Sequence, residues 1–172
     1  KPRLILRLTH FSNTKYPEIV QEIGNCGQIF LYTEKLAKKE YLTLLSMSHC
    51  YVSPHRSEGF GRNIAESMFL GTPTIVSNYS GNLDFCNNDT SYLIDGKLIK
   101  INKGEYPLSD NCSWFDPDII HLKLLMMDVY VNYETAISKS KNARDIIMAN
   151  HSIDIYKKNL GKIIGQDFSK KS

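Results

Sequence analysis

At 172 residues and 42% apolar content, the chain is long enough to bury a proper core as one domain, or one and a fraction. Its 21 basic and 18 acidic residues leave a net charge of +3. That charge is too balanced, and apart from Lys170–Lys171 too dispersed, for a nucleic-acid binder.

No apolar run approaches the ~18 residues that cross a bilayer. The four cysteines, Cys26, Cys50, Cys86 and Cys112, form no C-x-x-C pair and read as buried thiols of a reducing compartment, not as disulfides or zinc ligands. The first residues lack the pattern of a signal peptide. The chain opens directly on a strand-like run without an initiator methionine, so the expectation is a piece of something longer.

In chain order, Arg3–Leu8 reads as a first strand. A helix follows over Tyr16–Ile23, with Ile19, Val20 and Ile23 on one side and Gly24 and Gly27 closing it. Gln28–Tyr32 is a second strand. Leu36–Met47 is a helix with Leu36, Leu44, Leu45 and Met47 as buried candidates. Cys50–Ser53 is a third strand, and a glycine-rich turn then leads into a helix that ends near Gly71. Thr74–Ser77 is a fourth strand, Ser80 is placed to cap a short helix over Gly81–Phe85, and Ser91–Ile94 is a short fifth strand.

Asp95–Ser113 has glycine, proline and no clear period, and reads as a long surface excursion anchored at its end by Trp114–Phe115. Asp116–Pro117 looks like a helix start, because Asp caps free N–H groups and Pro suits the first helical position. Helices are expected over about 117–131, 133–149 and 153–165, punctuated by Asn132, Asn150 and Ser152, with 167–172 a disordered tail after a domain spanning 1–166. Strands alternating with helices at this pace predict a Rossmann-like α/β fold. It is a parallel sheet of about five to six strands with helices on both faces and a helical C-terminal extension. Ligands of such sheets bind outside the carboxyl ends of the strands. That edge collects the turns at His10–Thr14, Tyr32–Lys35, Glu58–Gly61 and Tyr79–Asn82.

The turn after the third strand, Pro54–His55–Arg56–Ser57–Glu58–Gly59–Phe60–Gly61–Arg62–Asn63–Ile64–Ala65–Glu66, carries the chemistry. A strand-to-helix turn offers unpaired N–H groups and a favourable dipole end to an anion, here a phosphate-bearing ligand. At ~100° per residue, Ile64, Ala65, Met68 and Phe69 form one arc facing the sheet. Glu66 falls beside that arc, where a carboxylate can accept two hydrogen bonds from a vicinal diol such as a ribose. Glu58 sits in the loop, and Gly59 and Gly61 allow close approach. On residues alone, Glu58 and Glu66 are equally well a surface acid and a helix-dipole acid. His55 is more naturally structural than catalytic, and Arg56 is either a phosphate partner or a solvated or capping arginine.

The run Glu58–Gly59–Phe60–Gly61, Glu66–Ser67–Met68, Gly71–Thr72–Pro73–Thr74–Ile75–Val76 resembles the glycosyltransferase family 4 signature, two glutamates separated by seven residues in E-G-F-G-x-x-x-x-E-x-M-x-x-G-x-P. The likeness continues through Tyr79–Phe85, Ser91–Ile94, Tyr106–Pro107 and Trp114–x–x–Pro117–Asp118. It implies the carboxyl-terminal, donor-holding half of a GT-B fold and a retaining glycosyltransferase. By position, Glu66 would bind the ribose hydroxyls and Glu58 would position the donor sugar as the catalytic-site carboxylate. Gly59, Phe60, Gly61, Arg62 and Asn63 would meet sugar and pyrophosphate, and Tyr32–Thr33 would border the base. Ser80, Gly81 and Asn82 would complete the nucleotide site, with Arg7 a helper at the phosphates.

The resemblance implies no metal and no cofactor beyond a UDP-, GDP- or other nucleotide-sugar substrate. It also implies a glycan or lipid-linked acceptor held by a further amino-terminal domain, and a cytoplasmic protein at the inner face of the membrane. The setting would be cell-surface polysaccharide, lipopolysaccharide or glycolipid assembly. Arg62 stands where the family usually has Leu, and either adds to phosphate binding or faces solvent; Ser67 stands for Ala. The family's pyrophosphate-gripping Arg and Lys would lie upstream of Lys1, so this stretch by itself is expected to bind donor weakly and to turn over poorly or not at all. A non-catalytic nucleotide-sugar-binding module of the same fold is the alternative. A flavodoxin-like signalling domain would want an acidic cluster after the first strand, and Arg7–Leu8–Thr9–His10 provides none.

Overall fold

In a computed structural model, residues 1–8, 15–107 and 110–165 are described. They fall into two compact units, Lys1–Tyr41 and the residues from Leu42 on. The expected turn at His10–Thr14 and the tail 167–172 lie outside the described residues.

In the first unit, β1 (Leu4–Arg7) and β2 (Ile29–Tyr32) are joined by α1 (Lys15–Ile23) and pair in parallel, Leu4 with Ile29 through Arg7 with Tyr32. Gly24 ends α1 as expected, at φ 53° with its N–H on the Val20 carbonyl. One face of the pair is open: Ile5 and Phe30, opposite each other, are both exposed. The Arg7 guanidinium lies 4.8 Å over the Tyr41 ring. Helix α2 (Lys38–Met47) follows, starting later than expected and burying Tyr41 and Leu45 but not Met47, which is 75% exposed.

In the second unit, β3 (Tyr51–Ser53), β4 (Thr74–Ser77) and β5 (Tyr92–Ile94) form a parallel sheet with β4 in the middle. All four β4 residues are buried, as a parallel strand covered on both faces requires. Val76 points to one face, where it packs with Ile64, Ala65 and Met68 of α3 (Arg62–Phe69) and with Ala143 and Ile147. Ile75 points to the other, with Tyr92, Ile94, Val129 and Ala136. Helix α3 ends in a Schellman turn: Gly71 at φ 78° gives its N–H to Met68, and Thr72 gives its N–H to Ser67. The Thr72 hydroxyl then donates to the Leu45 carbonyl. Phe69, expected in the buried arc, is exposed, and Ser67 takes its place by donating to Asn63 O within the helix.

The expected single sheet of five to six parallel strands is a parallel pair and a parallel triplet among the described residues. Strand–helix–strand alternation fixes parallel direction, but not which strands become neighbours. A second correction concerns the supposed excursion. Gly96–Lys100 is β6, paired antiparallel with β7 (Ser113–Pro117), from Gly96 opposite Pro117 to Lys100 opposite Ser113. Its short, lysine-flanked sequence takes strand form from a partner thirteen or more residues away, a signal no local window carries.

Asp116–Pro117 is accordingly strand, not helix start. Asp118 is the true cap of α4 (Ile119–Val131), its carboxylate accepting from Ile120 N and His121 N at 2.8 and 3.1 Å. The C-terminal helices α5 (Tyr133–His151) and α6 (Ile153–Ile164) break at Ser152, whose hydroxyl accepts from Ile155 N.

Replacing Asp118 by Ala is expected to cost about 1 kcal/mol of stability in urea melts, with no change in slope. Burial pushes the Cys50 and Cys86 thiols up to about 12 and about 11, whereas Cys26 and Cys112, expected to be buried, are exposed. A thiol reagent at about pH 8 should therefore modify Cys26 and Cys112 in the folded protein and reach Cys50 and Cys86 only on unfolding, as peptide mass mapping would show.

Candidate functional site

Strand β3 ends at Ser53, and Pro54, which cannot extend the ladder, opens the loop that runs to α3. The loop closes at Gly61, which stands immediately before the helix at φ 86° and ψ 48° and places no side chain on the first N–H groups. Only a glycine sits comfortably there: an added Cβ would also meet Ile64 Cδ1 at 3.0 Å and Glu58 Cγ at 3.5 Å. Gly59 differs, because an added Cβ meets no atom within 4 Å.

The loop after β4, Asn78–Gly81, lies directly on this turn. A Cβ on Gly81 would fall 1.7 Å from the Gly59 carbonyl oxygen, so the two backbones touch. Gly81 N donates to Glu58 O at 3.2 Å. The Ser80 hydroxyl accepts from Glu58 N at 3.2 Å and donates to Glu58 O at 2.5 Å. Ser80 does not cap the short 3₁₀ turn Gly81–Asp84 as expected; its hydroxyl is spent on Glu58. It also holds φ 83° and ψ −162°, a region that is nearly glycine's alone. Asn82 is wholly buried, donating through Nδ2 to Ser77 O.

These contacts bring together Glu58, Gly59, Gly61, Ser80, Gly81 and Asn82. Glu66 lies one turn into α3, its carboxylate 20% exposed and 3.8 Å from the Arg62 Nε. Arg62 itself is 81% exposed, so it leans on Glu66 from the solvent side, and Asn63 beside it is exposed. The Phe60 ring turns onto Phe85 and His151, with centroids 5.1 and 5.3 Å away, leaving its backbone as the part that faces the turn. Arg7, Tyr32 and Thr33 belong to the first unit; Arg7 and Tyr32 are partners at the carboxyl ends of β1 and β2.

Several participants are not among the expected site residues. Arg56 stacks on Trp114 at 4.6 Å and reaches Asp116 at 3.5 Å, so its charge is directed at β7. Phe115 N donates to Arg56 O, and the Phe115 ring stacks on Tyr79 at 5.3 Å, 6° from parallel. The hairpin thus forms a wall beside the turn. His55 ties the two loops through Nε2, which meets Tyr79 O and Asn82 Oδ1, while Nδ1 meets Ser53 at the end of its own strand. The pairing of β6 with β7 is what puts Trp114 and Phe115 here, and only the aromatic pair itself hinted at an anchor.

Residues 13–103 match the family described as glycosyl transferases, group 1. The chain belongs to the group 1 glycosyl transferases. It is 31% identical over 97 residues to a protein named glycosyltransferase 48 from the Sulfolobus islandicus filamentous virus, Hveragerdi isolate, covering 56% of this chain and 30% of that protein. Its fold is similar to the C-terminal domain of the glycosyl transferase group 1 family protein LpcC from Francisella tularensis, with TM-score 0.56 and 18% identity over 81% of this chain and 62% of that one. It is similar also to Alr3699/HepE of Anabaena, solved with UDP-glucose, at TM-score 0.66 and 14% identity over 95% of this chain and 40% of that one. The chain therefore spans about a third of the curated relative it matches, and less than two thirds of these solved relatives. The α/β architecture of this chain is that of the C-terminal half of a GT-B fold.

The two loop glycines make a contrast that melts can measure. Gly81→Ala should lose about 1–3 kcal/mol or more, because a backbone carbonyl has to move. Gly59→Ala should stay within about 0.5 kcal/mol of wild type.

Proposed function

We propose that this chain is the donor-binding half of a retaining, family 4 glycosyltransferase that moves a sugar from a nucleotide-diphosphate sugar to an acceptor. The observation that carries this reading is the turn from β3 into α3. Gly61 leaves the helix N-terminus bare, with Glu58 in the loop before it and Glu66 one turn into the helix after it. A helix N-terminus favours the diphosphate, and a carboxylate one turn in is placed for a ribose diol. Glu66 takes the ribose, Glu58 positions the sugar, and the Gly59–Asn63 backbone lines the pyrophosphate, with Ser80, Gly81 and Asn82 holding the turn from behind. The sequence resemblance alone assigns Tyr32 and Thr33 to the base and Arg7 to the phosphates. UDP-glucose bound to the Anabaena relative supports a nucleotide sugar as the ligand class.

The reaction on this reading is a front-face displacement. The acceptor hydroxyl oxygen bonds to the anomeric carbon on the face that the diphosphate leaves, and the departing diphosphate takes the hydroxyl proton. The protein then works by positioning and charge stabilisation, with no metal or cofactor assigned. A glycan or lipid-linked acceptor is held by a further domain outside these 172 residues, and the chain by itself turns over poorly. The setting is cell-surface polysaccharide, lipopolysaccharide or glycolipid assembly in the cytoplasm, at the inner face of the membrane. Among the described residues no helix is long and apolar enough to cross a membrane.

Calorimetric titration with UDP, GDP and ADP, with and without a chelator, tests the proposal. One nucleotide should bind more tightly than millimolar, unaffected by the chelator, and Glu66→Gln should weaken it about tenfold or more through the lost ribose hydrogen bonds. Millimolar or weaker binding of all three, with Glu66→Gln unchanged, would falsify the assignment.

A further inference from the structure

We propose that His55 is a positioning residue, fixing the Glu58 backbone by locking the loop after β4 onto the loop after β3; its link to donor binding rests on the function proposed above. The imidazole spans the two loops. Its Nε2 is 3.0 Å from Asn82 Oδ1 and 3.2 Å from Tyr79 O, both acceptors. Asn82 cannot present its amide nitrogen instead, because Nδ2 is already donating to Ser77 O at 3.0 Å. The Nε2 atom therefore carries the proton. With the proton on Nε2, Nδ1 is an acceptor, and the Ser53 hydroxyl 3.2 Å away at the end of β3 is the group that donates to it.

The lock closes on itself. The His55 carbonyl accepts from the Ser77 hydroxyl at 2.6 Å, at the end of β4. From Tyr79 and Asn82 the chain passes through Ser80 and Gly81, the two residues that hold Glu58 N and Glu58 O. Ser80 occupies a backbone conformation that serine does not adopt unless neighbours on both sides impose it, and His55 grips the residue before it and the second residue after it. Asn82 is wholly buried, so without the imidazole its Oδ1 would lose its donor in a place water does not reach.

Asparagine and glutamine separate the roles, since glutamine carries an amide N–H as far from the backbone as Nε2, and asparagine only as far as Nδ1. Hydrogen–deuterium exchange read by NMR should show the Glu58 and Gly81 amides opening about tenfold or more faster in His55→Asn, and within about threefold of wild type in His55→Gln. UDP affinity should follow the same order, with His55→Asn about tenfold weaker. Wild-type ring-nitrogen NMR gives a measurement that needs no variant to fold: the Nε2–H tautomer with a slowly exchanging proton is expected.

Wild-type exchange rates in His55→Asn, or equal loosening in both variants, or an Nδ1–H tautomer, would overturn the proposal. If no nucleotide binds wild type while His55→Asn alone loosens the two amides, the donor reading falls and the positioning role stands.

Discussion

A methyl group on Gly81 would lie 1.7 Å from the carbonyl oxygen of Gly59, so the loops after β3 and β4 approach as closely as two backbones can. Everything placed at this edge depends on that contact. It requires β3 and β4 to be neighbours in one parallel sheet, which sends both carboxyl ends to the same side. It requires β4 to be rigid, and β4 is held by helices on both of its faces. It also sets where Glu58 can be, because the peptide groups of Glu58 and the Ser80–Gly81 pair are joined by three hydrogen bonds.

The order of strands and helices through β5 was legible from periodicity, though β6 and β7 were not, and the loop that matters was legible from its glycines and its strand-to-helix position. The end of α3 was legible too: Gly71 needs a left-handed residue there, and Thr72–Pro73 restarts the chain toward β4. What failed did so for physical reasons. Phe69 and Met47 satisfy a helical apolar arc, but an arc does not say how wide the covering surface is. Asp116 and Asp118 are both acidic residues beside a proline, and only the ladder between β6 and β7 decides which of them is free to cap. Ser80 looked like a cap because serine usually caps; its hydroxyl goes to Glu58 across the fold, a partner 22 residues away.

The candidate site was legible in part. Glu58, Gly61, Gly81 and Asn82 converge as the spacing suggested, and Glu66 stands one turn into its helix. Arg62, left open between phosphate and solvent, leans on Glu66 from the outside. Arg56 proved committed to Trp114 and Asp116, and His55 to the neighbouring loop, because both meet residues far away in sequence. The two glycines of the turn look alike on paper yet differ in kind. Gly61 is demanded by backbone angle and packing, whereas the space over Gly59 is empty of protein.

The hairpin β6–β7 has its own consequence. Its second strand meets the site at Arg56, Trp114, Phe115 and Tyr79, and its two strands are pinned to each other from Gly96–Pro117 to Lys100–Ser113. The stretch between them is anchored at both ends by the ladder, so its length is decoupled from the position of the aromatic wall. Residues can be gained or lost between 101 and 112 at little entropic cost, since loop closure depends only logarithmically on length. That makes this segment a place to accept an inserted reporter while the neighbouring turn stays still.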